Sequence, residues 1–215
     1  MKFVTHNHRF ALDIVESNED LKKLWDEICS AIASISDERL KSEFAKSNTK
    51  MSLSDAINRL LDEELVSRNW TPQSAIFQGD DYLEKKWRLD FSKRIDSPAA
   101  GITGMAIEVA FNHGEAIAWN LMKPVLAAEQ NQLELQTEIG SGIGIYICAT
   151  EALKSAGGFD GAVGEYEKVL RYLLPLFQKL TVPLIIVGLD APESFKIEKK
   201  RNSITNRNVG VVVEI

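Results

Sequence analysis

The sequence predicts an α/β protein in which a central mixed β-sheet is flanked by helices and preceded by a helical N-terminal region. Three observations carry this. Apolar residues recur at helical spacing early in the chain, as in EDLKKLWDEICSAIASI (19–35). Beyond Pro72, strand-like and helix-like stretches alternate. The later strands, IGIYICAT (143–150) and VPLIIVGLD (182–190), are almost continuously apolar, the pattern of strands covered on both faces.

Taken in order, Leu21, Leu24, Trp25, Ile28 and Ile32 mark the apolar face of a first helix, and Asp37 is placed to cap a second. AKSNTKMSLSD (45–55) is a polar loop, with Ser54 capping DAINRLLDEELVSRNW. Trp87, Leu89 and Phe91 alternate with Arg88 and Asp90, the period of a strand. DSPAAG (96–101) is turn-rich, and MAIEVAF (105–111) alternates as a second strand. A helix is expected from about Gly114 past a kink at Pro124 into the 130s, another over 161–180, and a final strand in NVGVVVEI. GSGIG (140–144) and AGGFDGAVG (156–164) lack a phosphate-loop lysine and read as turns. One domain is expected over 1–215. It divides into a helical and loop region (1–53), a core (54–190), and a basic segment with a strand (191–215).

The 215 residues are 45% hydrophobic, enough for one sizeable core. No apolar run reaches the roughly 18 residues that span a bilayer. The stretch MKFVTHNHRFALDIV lacks the pattern of a secretory signal, and the two cysteines, Cys29 and Cys148, lack metal-site spacing. A cytoplasmic protein with buried free thiols is the expectation. The net charge of −6 argues against wholesale polyanion binding, but basic residues cluster at 85–88, 93–94 and 196–207.

Strand periodicity puts Glu108 and Ala110 on one face, and if the 87–91 and 105–111 strands are neighbours, Asp90 approaches Glu108. Two close carboxylates repel unless a cation lies between them. Oxygen ligands with sites left for water and phosphate suit Mg²⁺. The alternative is simple ion pairing, of Asp90 with Arg88 or Lys93 and of Glu108 with a lysine.

RLDFSKR followed by AIEVAF resembles the paired-carboxylate centre of the PD-(D/E)XK nucleases. More narrowly, it is similar to the BglII and BstYI branch of type II restriction endonucleases, related to BamHI. There an xDFxKR strand precedes an EVQF strand and an aromatic-containing helix, as EVAFNHGEAIAWNLMKPVLA does here. LLDEELVSRNW resembles the helix before that hairpin, and VPLIIVGL a late core strand, so the likeness covers roughly residues 45–190.

The resemblance implies a restriction-endonuclease-like α/β/α core and Mg²⁺-dependent, site-specific cleavage of double-stranded DNA at a short palindrome by a homodimer. Asp90 and Glu108 would be the metal ligands. Ala110 departs from the pattern, because the residue two after Glu108 should help hold the attacking water. His113 and Glu115 are the nearby candidates for that work, with Asn112 able to orient; Glu63 or Glu64 could add a carboxylate from the preceding helix. Lys93 and Arg94 would meet phosphates near the cut. Lys46, Asn48 and Lys50, with Lys199, Lys200, Arg201, Asn206 and Arg207, are the further expected DNA contacts. The other reading is a nuclease-fold protein that binds DNA or a protein partner without cutting.

Overall fold

The computed structural model describes residues 1–47, 49–77, 79–95, 104–128, 142–201, 203 and 206–215. The strands are β1 (Phe3–His8), β2 (Thr71–Pro72), β3 (Phe91–Arg94), β4 (Gly104–Ala110), β5 (Gly142–Ala149), β6 (Leu184–Leu189), β7 (Phe195–Arg201) and β8 (Asn208–Glu214). The helices are α1 (Ala11–Glu16), α2 (Glu19–Ala33), α3 (Asp37–Ala45), α4 (Ser54–Ser67), α5 (Ile117–Ala128), α6 (Glu151–Ala156) and α7 (Tyr166–Leu176).

Six strands form one mixed sheet in the order β1-β6-β5-β4-β3-β2. The β4–β5 and β5–β6 pairs are parallel, and the outer pairs are antiparallel. β5 and β6 are buried along their whole lengths, as their unbroken apolar runs require. Alternation then sorts their side chains between two layers. Ile145, Ile147, Ile185 and Val187 join Met105 and Ile107 in a core with the N-terminal helices. Tyr146, Cys148, Leu184 and Ile186 join Ala110 in a core with α5 and α7. The result is the expected α/β/α arrangement. β7 and β8 make a separate hairpin, rooted by the buried Phe195 and Ile197.

Several local expectations are corrected. The 87–91 strand lies four residues further on. Lys85–Trp87 form a 3₁₀ turn, and Leu89 N–H donates to Ser74 O at 2.8 Å, so residues 88–90 pair with the 73–75 loop before β3 begins. Ser36, not Asp37, caps α3, accepting from Arg39 N–H; Asp37 instead accepts from the backbone N–H groups of Glu193 and Ser194. Ser54 is the first residue of α4 rather than its cap. The helix expected over 161–180 is regular only over Tyr166–Leu176. Within GSGIG, Gly142–Gly144 open β5. A Cβ at Gly144 would lie 2.2 Å from Leu184 Cδ2 and 2.9 Å from Pro124 Cβ, so this glycine lets α5 press closely on the sheet. Neither β1 nor β7 was marked by the sequence pattern, since β1 is a mostly uncovered edge strand with only His8 fully buried. The 96–101 turn and the extension of α5 into the 130s lie outside the described residues.

Candidate active site

β3 and β4 pair antiparallel with Phe91 opposite Ile107, and one step along that register Asp90 faces Glu108. Asp90 Oδ2 accepts a 2.7 Å hydrogen bond from Val109 N–H, which fastens its carboxylate against β4. On its other side Glu108 pairs with Tyr146 of β5, a fully buried neighbour. Glu108 is itself only 3% exposed. Its Oε1 accepts from Lys123 Nζ at 2.7 Å, while its Oε2 has no hydrogen-bond partner among the described residues.

Burial pushes the Glu108 carboxyl up to about 8, and the nearby Asp90 charge adds to this against the pull of Lys123. Burial also raises Asp90, opposed by the Val109 N–H and then by Lys123 and Lys85. A buried carboxylate oxygen without a partner is costly when ionised, which favours the protonated form of Glu108 at neutral pH. No group of three or more His, Cys, Asp or Glu residues could hold a metal among the described residues. Asp90 and Glu108 nevertheless fit a hard divalent ion that keeps water and phosphate as its remaining ligands.

The two carboxylates open on a cleft of about 610 Å³. Asp55, Asn58 and Asp62 of α4 line one wall at i, i+3 and i+7, opposite the buried Ile57, Leu60 and Leu65. Lys85, Arg88 and Lys123 bring positive charge to the same cleft. A sheet-edge cleft with carboxylates at its floor and cations around them can accept a phosphodiester and neutralise its charge.

The sequence-based site residues divide sharply. Asp90 and Glu108 meet as expected. His113 and Glu115 line an adjoining cleft of about 550 Å³ with Lys199, and neither lines the carboxylate cleft. Asn112 lines both and accepts from Asn120 Nδ2 at 2.9 Å. Glu63 and Glu64 point to Arg39, with Glu64 also paired to Arg68; the α4 carboxylate at the cleft is Asp62. Lys93 donates to both oxygens of Glu27, at 2.7 and 2.9 Å, on the face of β3 opposite Asp90. Lys46 pairs with Glu43 and Lys50 with Asp55. Arg94, Lys200, Arg201, Asn206 and Arg207 are exposed, and Asn48 lies outside the described residues.

The ion-pair alternative holds for Glu108, through Lys123, and fails for Lys93, which is taken by Glu27. Sequence reasoning missed Lys123 and Asp62. Lys123 is the lone charge in IAWNLMKPVLAA, a signal of a buried cation on a covered helix. Asp62 follows from the helical phase of α4.

A mixed sheet between two helical layers, with two carboxylates opposed across an antiparallel hairpin, is the architecture of the restriction-endonuclease class. The family model for restriction endonuclease BglII/BglIII matches residues 3–189, and the chain belongs to that family. Among solved structures it is similar to restriction endonuclease BglII complexed with a DNA 16-mer, at 18% identity and a TM-score of 0.65, with all of both chains covered. It is also similar to free BglII, at 16% identity and a TM-score of 0.56 over all of both chains. A search of curated proteins finds no significant match.

Proposed function

We propose that the protein is a Mg²⁺-dependent type II restriction endonuclease that hydrolyses phosphodiester bonds at a short palindrome in double-stranded DNA. The observation that carries this is the Asp90–Glu108 pair with its unpartnered Glu108 Oε2. The DNA held by the BglII neighbour supports the choice of substrate.

In this reading Asp90 and Glu108 bind the metal, and the Val109 N–H keeps Asp90 in register with Glu108. Mg²⁺ would supply positive charge at the scissile phosphate and make a water more acidic. Lys85 and Arg88 hold the phosphate at the mouth of the cleft, and the apolar floor of β4 and β5 keeps the carboxylates poorly hydrated. Lys199, Lys200, Arg201 and Arg207 on the β7–β8 hairpin add non-specific attraction to the DNA backbone.

A palindrome calls for two copies related by a two-fold axis. The homodimer is supported by α7, which exposes Leu174 to 83%, with Phe177 just beyond it at 47%. No helix among the described residues is long and apolar enough to cross a membrane, and a cytoplasmic setting suits a DNA-cutting enzyme.

Digestion of unmethylated plasmid with Mg²⁺ or Mn²⁺ tests the reading. Discrete fragments that disappear with Asp90→Asn and with Glu108→Gln are expected. Ala110, packed and lacking any polar group, favours a second reading, a DNA-binding protein that does not cut. Tight DNA binding without cleavage at any divalent metal would decide for it.

A further inference from the structure

Position 110 is closed to chemistry. Ala110 is 2% exposed and packs in the apolar cluster that holds Ile117, Leu121 and Tyr146, so its methyl group does not line the cleft and brings no polar atom to it. The helix that seals it, α5, also delivers the nearest cation. Lys123 is 8% exposed, lines the cleft and donates to Glu108 Oε1 at 2.7 Å. Burying an ammonium is expensive, and a purely structural ion pair at such a site could be replaced by apolar side chains at little cost. The close approach of α5 to the sheet at Gly144, against Pro124, sets the reach of the neighbouring Lys123. An ammonium has three N–H donors, and among the described residues Lys123 spends one, on Glu108.

We propose that Lys123 performs, from α5, the task that position 110 cannot, holding the attacking water and a scissile-phosphate oxygen beside Glu108. The inference rests on the endonuclease reading given above. The water oxygen bonds to phosphorus and the bond from phosphorus to the leaving sugar oxygen breaks. The water gives its proton to solvent, and the leaving oxygen takes one from solvent. The ammonium keeps its protons throughout and acts by orientation and charge.

The test compares wild type with Lys123→Met, Lys123→Gln and Lys123→Arg. Cleavage of unmethylated plasmid is followed under single-turnover conditions with Mg²⁺. Mn²⁺ affinity is measured by calorimetry, and binding of a duplex carrying the sequence read from the fragment ends is measured in Ca²⁺. Loss of a preorganised donor predicts a fall of about 100-fold in cleavage rate for Met and Gln. Mn²⁺ and DNA affinities should be retained, and Arg should recover part of the rate. Folding is checked by thermal melts, and the two neutral variants differ in polarity so that one packing defect does not decide the matter. Cleavage by Lys123→Met at the wild-type rate overturns the proposal, as does joint loss of Mn²⁺ and DNA binding in all three variants. A wild type that binds DNA and cuts none overturns instead the endonuclease reading on which the proposal rests.

Discussion

Glu108→Gln should change how stability depends on pH, and the change can be worked from the site. In the folded chain the Glu108 carboxyl is held up at about 8, against an ordinary value of 4.5. Between those values the native state keeps a proton that the unfolded chain has released. Stability contributed by this group is therefore present below pH 4.5 and is lost as pH rises through 8. The slope is about 1.4 kcal/mol per pH unit, and the full interval amounts to about 5 kcal/mol as an upper bound. Glutamine cannot titrate, so this slope should vanish. Below about pH 8 the substitution exchanges one neutral acceptor of the Lys123 hydrogen bond for another, and only above it does it remove a charge, so any offset in the variant's curve does not restore the slope. The assay is urea unfolding by circular dichroism from pH 5 to 9 in the presence of a chelator. The difference between wild-type and Glu108→Gln free energies should fall steadily to about pH 8 and then level off. Parallel curves would refute the claim that burial and Asp90 hold Glu108 protonated.

Other outcomes are equally specific. Mn²⁺ titrated into the wild type should bind more tightly as pH rises towards 8, because Glu108 must shed its proton to become a ligand; a pH-independent affinity would count against Glu108 as a ligand. Lys93→Met should cost about 1–2 kcal/mol in chemical denaturation, by breaking the link to Glu27 and to the Arg68 carbonyl, and leave DNA affinity unchanged. Joint replacement of Lys199, Lys200 and Arg201 by Ala should weaken DNA binding and reduce the slope of log affinity against log salt by about one for each phosphate no longer neutralised. Gly144→Ala should destabilise by about 1–3 kcal/mol through its collision with Leu184 and Pro124, read as a lower melting temperature.

Much of this fold was legible because its strands obey simple periods. The unbroken apolar runs at 143–150 and 182–190 could only be covered strands, and alternation in AIEVAF put Glu108 and Ala110 on one face. The nearness of Asp90 followed from two strands joined by one connection. The same alternation speaks against Lys93, which shares the face of Phe91 and turns towards α2, away from Asp90. In α4 the error was one of phase. One residue is about 100° of helix, enough to send Glu63 and Glu64 to Arg39 and leave Asp62 at the cleft. Lys123 was hidden for another reason. A lone lysine in an apolar helix announces burial, but its partner depends on how α5 lies across β4, which no local pattern encodes. His113 shows the converse, since closeness in sequence to Glu108 did not bring it into the same cleft.

The β7–β8 hairpin is built like a cantilever. Its root is clamped through Phe195 and Ile197, and its outer half, Lys199–Arg201, stands in solvent, outside the hydrogen-bonded ladder that holds Asp90 and Glu108. Load applied at the tip reaches the carboxylates indirectly, through the clamp and through the bonds of Lys199 to the Phe159 carbonyl and of the Gly210 N–H to the Lys50 carbonyl. The outer residues can be exchanged at little cost in folding, which makes this ribbon a place where surface chemistry can be retuned while the carboxylate pair stays as it is.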